Sequence, residues 1–433
     1  MPPFAELGLP AAVVAALDAQ GFAAPVPIQA ATLPDGRAGR DLLGRGQTGS
    51  GKTLAFGLAL LSRLADGPKA APQAPRGLVL VPTRELAQQV DDALAPYAAA
   101  LALRTAVVVG GLSFNRQASE LRRGVDLVVA TPGRLTDHVQ QRTVDLGAIT
   151  VTAIDEADRM ADMGFLPQVR AILDRTPPAG QRLLFSATLD DAVGALVTRY
   201  LTDPVTCSVA PPTGSVATME HHLLHVEREA KARVVAEIAA RDGRTLLFVR
   251  TKHGADKLVK HLRRDGIVAG ALHGGKAQNA RTRAIEAFRA GSVPVLVATD
   301  VAARGIHVDD VGLVVHVDPP ADPKDYLHRA GRTARAGDSG VVVTLVTPEE
   351  RHEVDRITRE AGIRPARVEV RPGAPELVRI TGAREPAGTP LAPPTPPALP
   401  VRRRSAGRND RGRSGAGPRA GIRRGGGGRR RAA

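Results

Sequence analysis

The residues best suited to chemistry form a glycine-rich segment near the start of the chain, Gly46-Gln47-Thr48-Gly49-Ser50-Gly51-Lys52-Thr53. The segment fits the pattern G-x4-G-K-[ST], follows a short apolar run at residues 42–43 and precedes a stretch of helical character. Glycines let successive backbone N–H groups surround phosphate oxygens, Lys52 brings a charge to the β and γ phosphates, and Thr53 offers a hydroxyl to Mg²⁺. We therefore predict a nucleotide-phosphate site, with a chance glycine-rich turn as the alternative.

Two adjacent carboxylates, Asp155 and Glu156, follow the apolar run at residues 151–154. Doubly wound sheets place their ligand crevice at the carboxyl ends of strands. Asp155 is suited to hold Mg²⁺, partly through water, and Glu156 to orient and deprotonate an attacking water. An acidic helix start is the alternative for these residues alone, but their pairing with the glycine-rich segment favours nucleotide hydrolysis.

Short apolar runs alternate with longer amphipathic stretches through the first 370 residues. The runs predicted as buried strands are 78–81, 106–109, 127–130, 151–154 and 183–185, then 245–249, 267–272, 295–298, 313–317 and 341–346. This alternation predicts an α/β fold with one parallel sheet in each half of the chain. His221, His222 and His225 alternate with apolar residues, which favours a strand at the start of the second half over a metal site.

Composition divides the chain into five predicted segments: a first domain at 1–208, a linker at 209–219, a second domain at 220–370, a Pro-rich extended spacer at 371–400, and an Arg/Gly-rich tail at 401–433. The tail holds twelve arginines and one acid, which leaves only +4 of the total charge of +15 for the first 400 residues. We predict that the tail is disordered until it binds phosphate backbones, a solvated end being the alternative.

The remaining composition narrows the class of protein. No run of about 18 apolar residues could cross a bilayer, and the first ten residues do not resemble a secretory signal, so we expect a cytoplasmic protein without a membrane partner. The single cysteine, Cys207, has no disulfide partner within the chain and is expected to be a buried thiol. Aromatic residues are only 3%, so contacts along a nucleic-acid backbone are favoured over extensive base stacking.

Further motifs occur in a fixed order, at residues 21–29, 82–87, 110–111, 131–134, 186–188, 248–251, 278–281, 299–305 and 328–335. Together with Asp155-Glu156-Ala157-Asp158, this series resembles the DEAD-box RNA helicases of superfamily 2, from Phe4 to about residue 370. The resemblance implies two tandem RecA-like domains, a bacterial type of protein, and ATP hydrolysis coupled to local unwinding of RNA duplexes.

The resemblance also implies roles for individual residues. Gln29 is the expected adenine contact, with Phe4 packing at the same base, and Ser186 and Thr188 are expected to couple hydrolysis to strand separation through hydrogen bonds to the acidic motif. Arg332 and Arg335 are expected to act as arginine fingers offered by the second domain. The expected RNA contacts are Pro82, Thr83, Arg84, Gly111, Thr131, Pro132, Gly133, Arg134, Arg281, Thr299, Asp300 and Arg304.

Two positions depart from the family pattern: His307 and Gly275 each stand where the family commonly has aspartate. These changes bear on nucleotide affinity and interdomain coupling rather than on the groups that hold phosphate and Mg²⁺. Two alternative functions are disfavoured. A DNA-tracking helicase of the same superfamily is disfavoured by the motif at residues 21–29 and by the family spelling. An ATP-gated RNA clamp that hardly unwinds is disfavoured by the intact Glu156, Ser186, Thr188, Arg332 and Arg335. Ribonucleoprotein partners are possible.

Overall fold

The architecture is that of a computed structural model that describes residues 2–46, 50–208, 219–303, 311–333 and 340–391. The described residues belong to one compact unit that ends at Leu391. The unit contains two parallel sheets of seven strands each, flanked by helices. In the part of the chain that the structure describes, no helix is long and apolar enough to cross a bilayer.

The first domain contains the first sheet. Its strands are β1 (Leu42–Arg45), β2 (Gly77–Leu80), β3 (Thr105–Val108), β4 (Leu127–Ala130), β5 (Val151–Asp155), β6 (Gln181–Ser186) and β7 (Val205–Ser208). After a 3-10 helix at Phe4–Leu7, its helices are α1 (Ala11–Ala19), α2 (Pro27–Arg37), α3 (Lys52–Ala65), α4 (Arg84–Ala100), α5 (Phe114–Arg122), α6 (Pro132–Gln140), α7 (Ala157–Asp162), α8 (Leu166–Leu173) and α9 (Asp191–Tyr200).

The second domain contains the second sheet. Its strands are β8 (Met219–His225), β9 (Arg244–Phe248), β10 (Ala269–Leu272), β11 (Val295–Ala298), β12 (Val311–His316), β13 (Gly340–Val346) and β14 (Ala366–Glu369). Its helices are α10 (Arg228–Ala239), α11 (Lys252–Arg264), α12 (Gln278–Arg289), α13 (Asp300–Ala303), α14 (Pro323–Ala330), α15 (Arg351–Glu360) and α16 (Pro375–Thr381), with a 3-10 helix at Pro348–Glu350.

The two sheets have the same topology. The strand order is β3-β4-β2-β5-β6-β1-β7 in the first and β10-β11-β9-β12-β13-β8-β14 in the second, so each strand of one corresponds to a strand of the other. All pairings within both sheets are parallel. The prediction of two tandem RecA-like domains is therefore confirmed.

Helices cover both faces of each sheet, and the strands are accordingly apolar on both sides. In β2, Val79 packs in one core cluster of the first domain and its neighbours Leu78 and Leu80 pack in the other. All three side chains are fully buried. This explains why the strands appear in the sequence as continuous apolar runs rather than as alternating ones.

The predicted spacer at 371–400 is wrong at residues 375–381, which form α16. Leu377 is fully buried in the core of the second domain, and Arg241 of the α10–β9 turn donates a 2.8 Å hydrogen bond to the carbonyl oxygen of Thr381. A helix of seven residues with few apolar positions gives too little periodicity to be recognised, so only its packing in the core of the second domain, where it contacts β13, reveals it. Residues 392–433, with the predicted tail, and 209–218 of the predicted linker lie outside the described residues.

Candidate functional site

The predicted motifs of the first domain lie at the carboxyl ends of its strands. The segment before Lys52 follows β1, Ser186 ends β6 and Asp155 ends β5, and these three strands are consecutive in the sheet. Beyond β5, Thr83 follows β2 and Thr131 follows β4. The predicted nucleotide and RNA residues therefore occupy adjoining parts of one sheet edge, where open α/β sheets bind ligands.

The glycine-rich segment joins β1 to α3. Lys52 begins α3, is 5% exposed, and donates a 2.8 Å hydrogen bond from Nζ to the carbonyl oxygen of Gly46. Gly51 has φ of 89°, and a Cβ there would approach Val26 Cγ2 at 2.6 Å, so only glycine fits. Ser50 and Thr53 flank this turn, and Gln47, Thr48 and Gly49 lie outside the described residues. The free N–H groups of the first turn of α3 make this end of the helix suited to an anion.

The predicted adenine contact, Gln29, lies on α2 and is already linked to this turn. Its Oε1 accepts a hydrogen bond from the backbone N–H of Val26, and its Nε2 donates one of 3.2 Å to the carbonyl oxygen of Gly51. Phe4 is 3% exposed and packs in the core of the first domain. The proposed contact of Phe4 with the base stays a prediction.

The two carboxylates differ in electrostatic environment. Burial raises the pKa of Asp155 to about 6, and Lys52 opposes this shift. Burial also acts to raise the pKa of Glu156, but nearby cations outweigh it and lower the pKa below its usual range. Glu156 has φ of 58° and ψ of 48° at the start of α7, a left-handed conformation that is strained for a non-glycine residue.

The cation nearest to Glu156 is Arg159, a residue that the sequence reasoning missed. Its Nη1 lies 2.7 Å from Glu156 Oε2, and its side chain is fully buried. The spacing of three residues on one helix could have suggested the pair. Burial is what makes it strong, because a buried pair is screened little by solvent.

Asp158 joins the acidic motif to the Ser186-Ala187-Thr188 motif. The backbone N–H and the hydroxyl of Thr188 each donate a 2.9 Å hydrogen bond to Asp158 Oδ2. The Ser186 hydroxyl accepts a 3.2 Å hydrogen bond from the backbone N–H of Asp158. Both hydroxyls thus contact the acidic motif as expected, although that of Ser186 acts as an acceptor here.

The predicted finger Arg332 approaches Glu156 from the second domain. Arg332 is 3% exposed, its Nε donates a 3.1 Å hydrogen bond to the carbonyl oxygen of His328, and its charge helps to lower the pKa of Glu156. Burial, with the nearby charge of Arg159, lowers the pKa of His328 to about 3, so this imidazole is neutral. The other predicted finger, Arg335, lies outside the described residues.

The predicted RNA residues of the first domain surround the starts of α4 and α6. Thr83 caps α4 by accepting a hydrogen bond from the backbone N–H of Leu86, and Arg84 lies so close to Gly111 that a Cβ there would meet Nη1 at 2.3 Å. Thr131 precedes α6, which begins with Pro132 and Gly133. Pro82 is buried, Gly133 is exposed, and Arg134 lies over the ring of Phe114 at 5.8 Å.

Arg281 lies at the boundary between the two domains, and its contact with RNA stays a prediction. It is 9% exposed, and its Nη2 lies 3.0 Å from Oε2 of Glu85 on α4 of the first domain. Gln278 completes the contact, since its Nε2 donates a 2.7 Å hydrogen bond to Glu85 and its Oε1 accepts one of 3.2 Å from Arg84. Residues of the RNA-binding motifs predicted in the two domains therefore contact each other across the interdomain boundary.

A second interdomain contact lies near Thr188. Lys324 of α14 reaches Asp162 at 2.9 Å and Asp190 at 3.3 Å, both in the first domain. Burial opposes ionisation of Lys324, but these carboxylates raise its pKa. The sequence reasoning did not find this contact, because Lys324, Asp162 and Asp190 all lie outside the motifs.

The predicted RNA residues of the second domain occupy equivalent strand ends. Thr299 and Asp300 follow β11, and both carboxylate oxygens of Asp300 accept hydrogen bonds from Arg329, at 2.6 and 2.9 Å. At the departure Gly275, the backbone N–H donates to His273 Nδ1 at 3.2 Å, and Asp256 lies 3.1 Å from the other ring nitrogen. Arg304 and His307 lie outside the described residues.

Cys207 and the three histidines of β8 have contacts typical of structural residues. Cys207 is buried, and its Sγ lies 3.3 Å from the carbonyl oxygen of Ala31. The three histidines lie on β8 as predicted, where His221 Nδ1 is 3.0 Å from the Tyr326 hydroxyl. In the described ranges, no group of three or more His, Cys, Asp or Glu side chains could hold a metal ion.

The two domains have the same fold. The first carries a phosphate-binding turn, and a buried arginine of the second approaches the acidic residues of the first. These features define a nucleotide-dependent motor of the RecA type. Family comparisons agree, because the DEAD/DEAH box helicase family matches residues 26–196 and the helicase conserved C-terminal domain matches residues 230–337. The chain belongs to the DEAD-box family of ATP-dependent RNA helicases.

Individual relatives support this assignment. The chain is 40% identical to the ATP-dependent RNA helicase RhlB of Xanthomonas oryzae, over 87% of this chain and 66% of the relative. It is 38% identical to the DEAD-box ATP-dependent RNA helicase CshA of Bacillus cereus, over 83% of this chain and 68% of the relative. It covers only 32% of a fungal relative at 40% identity, the pre-mRNA-processing ATP-dependent RNA helicase PRP5 of Mycosarcoma maydis.

The solved structures give the same fold. The chain superposes on Saccharomyces cerevisiae Dbp5 bound to RNA and ADP BeF3 with a TM-score of 0.75 and 30% identity, over 85% of this chain and 96% of that one. That neighbour carries RNA and an ATP analogue together. The chain spans two thirds or less of the length of several curated relatives.

Proposed function

We propose that this chain hydrolyses ATP in response to RNA and couples closure of its two domains to local, largely sequence-independent unwinding of short RNA duplexes. Its substrates are ATP, water and RNA, and the products of hydrolysis are ADP and phosphate. The observation that carries the proposal is the buried position of Arg332 of the second domain beside the acidic motif of the first, where its charge helps to lower the pKa of Glu156.

The proposed binding of ATP rests on the residues near Glu156 and at the start of α3. The N–H groups at the start of α3 and the Lys52 ammonium are suited to bind the phosphates. A carboxylate at Asp155 and a hydroxyl at Thr53 are oxygen donors of the kind that Mg²⁺ prefers, which fits a Mg²⁺ ion held partly through water. That ion would neutralise charge that develops on the phosphates.

Glu156 is the proposed base for water. Its low pKa keeps it ionised at neutral pH, so it can accept a hydrogen bond from the attacking water and then its proton. Arg332, with Arg335 as the second proposed finger, would stabilise charge on the transferred phosphoryl group. Because Arg332 belongs to the second domain, hydrolysis depends on closure.

The RNA side explains why closure would depend on RNA. The helix starts and hydroxyls after β2 and β4, and the equivalent strand ends after β9 and β11, are suited to contact one strand of backbone. RNA across both domains therefore favours the same closed state as ATP, and each ligand strengthens the binding of the other. Contacts to 2′-hydroxyls would distinguish RNA from DNA.

Two further parts of the proposal rest on the sequence. The twelve arginines of residues 401–433 would raise affinity for RNA without base recognition, through release of counterions. Partners in ribonucleoprotein particles are compatible with an RNA-dependent ATPase of this kind. The DNA-tracking alternative predicts equal activity on DNA and RNA duplexes, so a competition between the two duplexes separates it from the proposal.

Glu156→Gln tests the proposal and the clamp alternative together. The change keeps the size of the side chain and leaves Asp155 and Lys52 in place, but removes the base. We expect the variant to bind ATP and RNA, to lose hydrolysis, and to hold a single-stranded RNA longer in ATP than in ADP. Wild-type protein should release that RNA quickly under ATP and separate a short duplex in repeated rounds.

The matched control is Glu120→Gln, which removes an exposed carboxylate on α5 that pairs with Arg116. It should hydrolyse ATP and unwind as wild type does. Equally long RNA lifetimes in wild type and Glu156→Gln, without duplex turnover in either, would establish a clamp. Hydrolysis that persists in Glu156→Gln would refute the assigned base.

A further inference from the structure

The exposed side of α11 in the second domain carries three cations in a row. Lys257, Lys260 and Arg264 are spaced three and four residues apart, so they share one face of the helix, and all three are exposed. The opposite face, with Ala255 and Leu262, is buried in the core. We call these three cations the α11 basic face.

No acid among the described residues pairs with the α11 basic face, because no ion pair there involves Lys257, Lys260 or Arg264. The acids nearest in sequence are Asp256 and Asp265. Asp256 instead contacts Lys276 at 2.8 Å and His273 at 3.1 Å.

The first end of α11 lies at the motif of residues 248–251, which begins at the last residue of β9 and is proposed to contact RNA. Thr251 of this motif caps the helix by accepting a 2.9 Å hydrogen bond from the backbone N–H of Gly254. From Lys257 to Arg264 the basic face extends about 10 Å at ~1.5 Å per residue. That length matches the backbone of roughly three nucleotides at ~3.4 Å each along a duplex strand.

At the other end, the last described residues return to α11. The backbone N–H of Gly388 donates a hydrogen bond to the carbonyl oxygen of Asp265, and that of Leu391 donates one of 2.9 Å to Arg263. Gly266 has φ of 86°, and a Cβ there would lie 2.9 Å from the Thr389 carbonyl oxygen, so this close approach needs glycine. Leu391, the last described residue, therefore lies at the carboxyl end of α11.

We infer that the α11 basic face is a phosphate-binding surface for RNA outside the cleft, which extends the RNA path from Thr251 along α11 toward Leu391. This inference rests on the proposed function, because it needs RNA at residues 248–251. A protein partner fits less well, since lysine is depleted at protein interfaces and the face presents no apolar or aromatic anchor.

The test replaces Lys257, Lys260 and Arg264 together with glutamine in the full chain. Glutamine has a helix propensity close to that of lysine and arginine, so α11 should keep its structure. The control variant replaces Arg122, Arg123 and Arg142 with glutamine, which removes the same charge from exposed positions of the first domain. Fluorescence anisotropy measures the affinity for a 30-nucleotide single-stranded RNA between 50 and 200 mM KCl.

Three lost phosphate contacts should lower the slope of log K against log salt by about 2, at ~0.7 per contact on a single strand. Over this fourfold salt range, wild-type affinity should therefore fall by roughly 18-fold more than that of the α11 variant. The control variant should keep the wild-type slope. A second variant, Lys257→Arg with Lys260→Arg, keeps the charge and should also have the wild-type slope.

Equal slopes for the α11 variant and the control variant would overturn the inference. A lowered slope in the charge-preserving variant would also overturn it. The outcome is separate from that of the proposed function. If wild-type protein shows no RNA-stimulated ATP hydrolysis, the proposed function fails, whereas the anisotropy slope reports on RNA contact alone.

Discussion

The contact between Glu85 and Arg281 makes a quantitative prediction about domain closure. The two side chains are 5% and 11% exposed, their charged atoms lie 3.0 Å apart, and they belong to different domains. If closure brings them together, both lose solvent when the domains close. Replacing one partner then leaves the other charge buried and unpaired, at a cost of about 3 to 5 kcal/mol.

Arg281→Met should therefore weaken closure strongly. A cost of about 3 kcal/mol corresponds to roughly a 150-fold loss in kcat/KM for RNA in the ATPase reaction. Glu85→Gln should cost less, because an amide can still accept the hydrogen bond from Gln278. In the double variant neither charge is left unpaired, so the two losses should not add, and we expect a coupling energy of about 1.5 to 3 kcal/mol.

The assay is RNA-stimulated ATP hydrolysis for wild type, both single variants and the double variant. The matched control is the same cycle on Arg116 and Glu120, an exposed pair within one helix, which should couple by only about 0.3 to 0.5 kcal/mol. A coupling as small as the control would refute the interdomain role. Additive losses with a salt slope lowered by about 0.7 would instead mean that Arg281 contacts a phosphate.

Three other predictions follow from single contacts. Lys52→Ala should nearly abolish ATP hydrolysis because a transition-state charge contact is lost, and near-normal turnover would contradict the ATP site. Lys324→Gln should lower kcat/KM for RNA by no more than about fivefold, since partly exposed ion pairs contribute at most about 1 kcal/mol; a larger loss would mean that this contact controls closure. Burial lowers the pKa of His221 to about 4 and that of His316 well below its usual range, so unfolded chains bind protons that the folded protein does not. Stability should fall as pH drops from ~6.5 toward 4, by at most about 1.4 kcal/mol per pH unit for each histidine, and a urea midpoint that is flat over this range would contradict the assignment.

The sequence by itself determined the features whose cause is local. The turn before Lys52 needs glycine at position 51 because φ there is 89°. The glycine-rich motif can therefore be recognised in a single sequence. The buried strands are also visible, because a strand covered on both faces must be apolar at every position. The order of motifs along the chain then fixed the family and the duplication of the fold.

Only the tertiary structure decided which distant residues meet. Thr188 and Asp158 are thirty positions apart, yet β6 lies next to β5 and brings them to 2.9 Å. Arg281 and Glu85 come from different domains, and no local pattern distinguishes an arginine that binds RNA from one that binds a carboxylate across an interface. The same limit applies to α16, because its few apolar residues are recognisable as buried only once they pack in the core of the second domain.

Electrostatic environment was also beyond the sequence. Asp155 and Glu156 are adjacent carboxylates, yet burial raises the pKa of one while the cations around the other lower its pKa. Arg159, three residues further along, is fully enclosed beside Glu156 because the chain folds over it. A pKa depends on the solvent and charge that surround a group, and these are set by packing rather than by the order of residues.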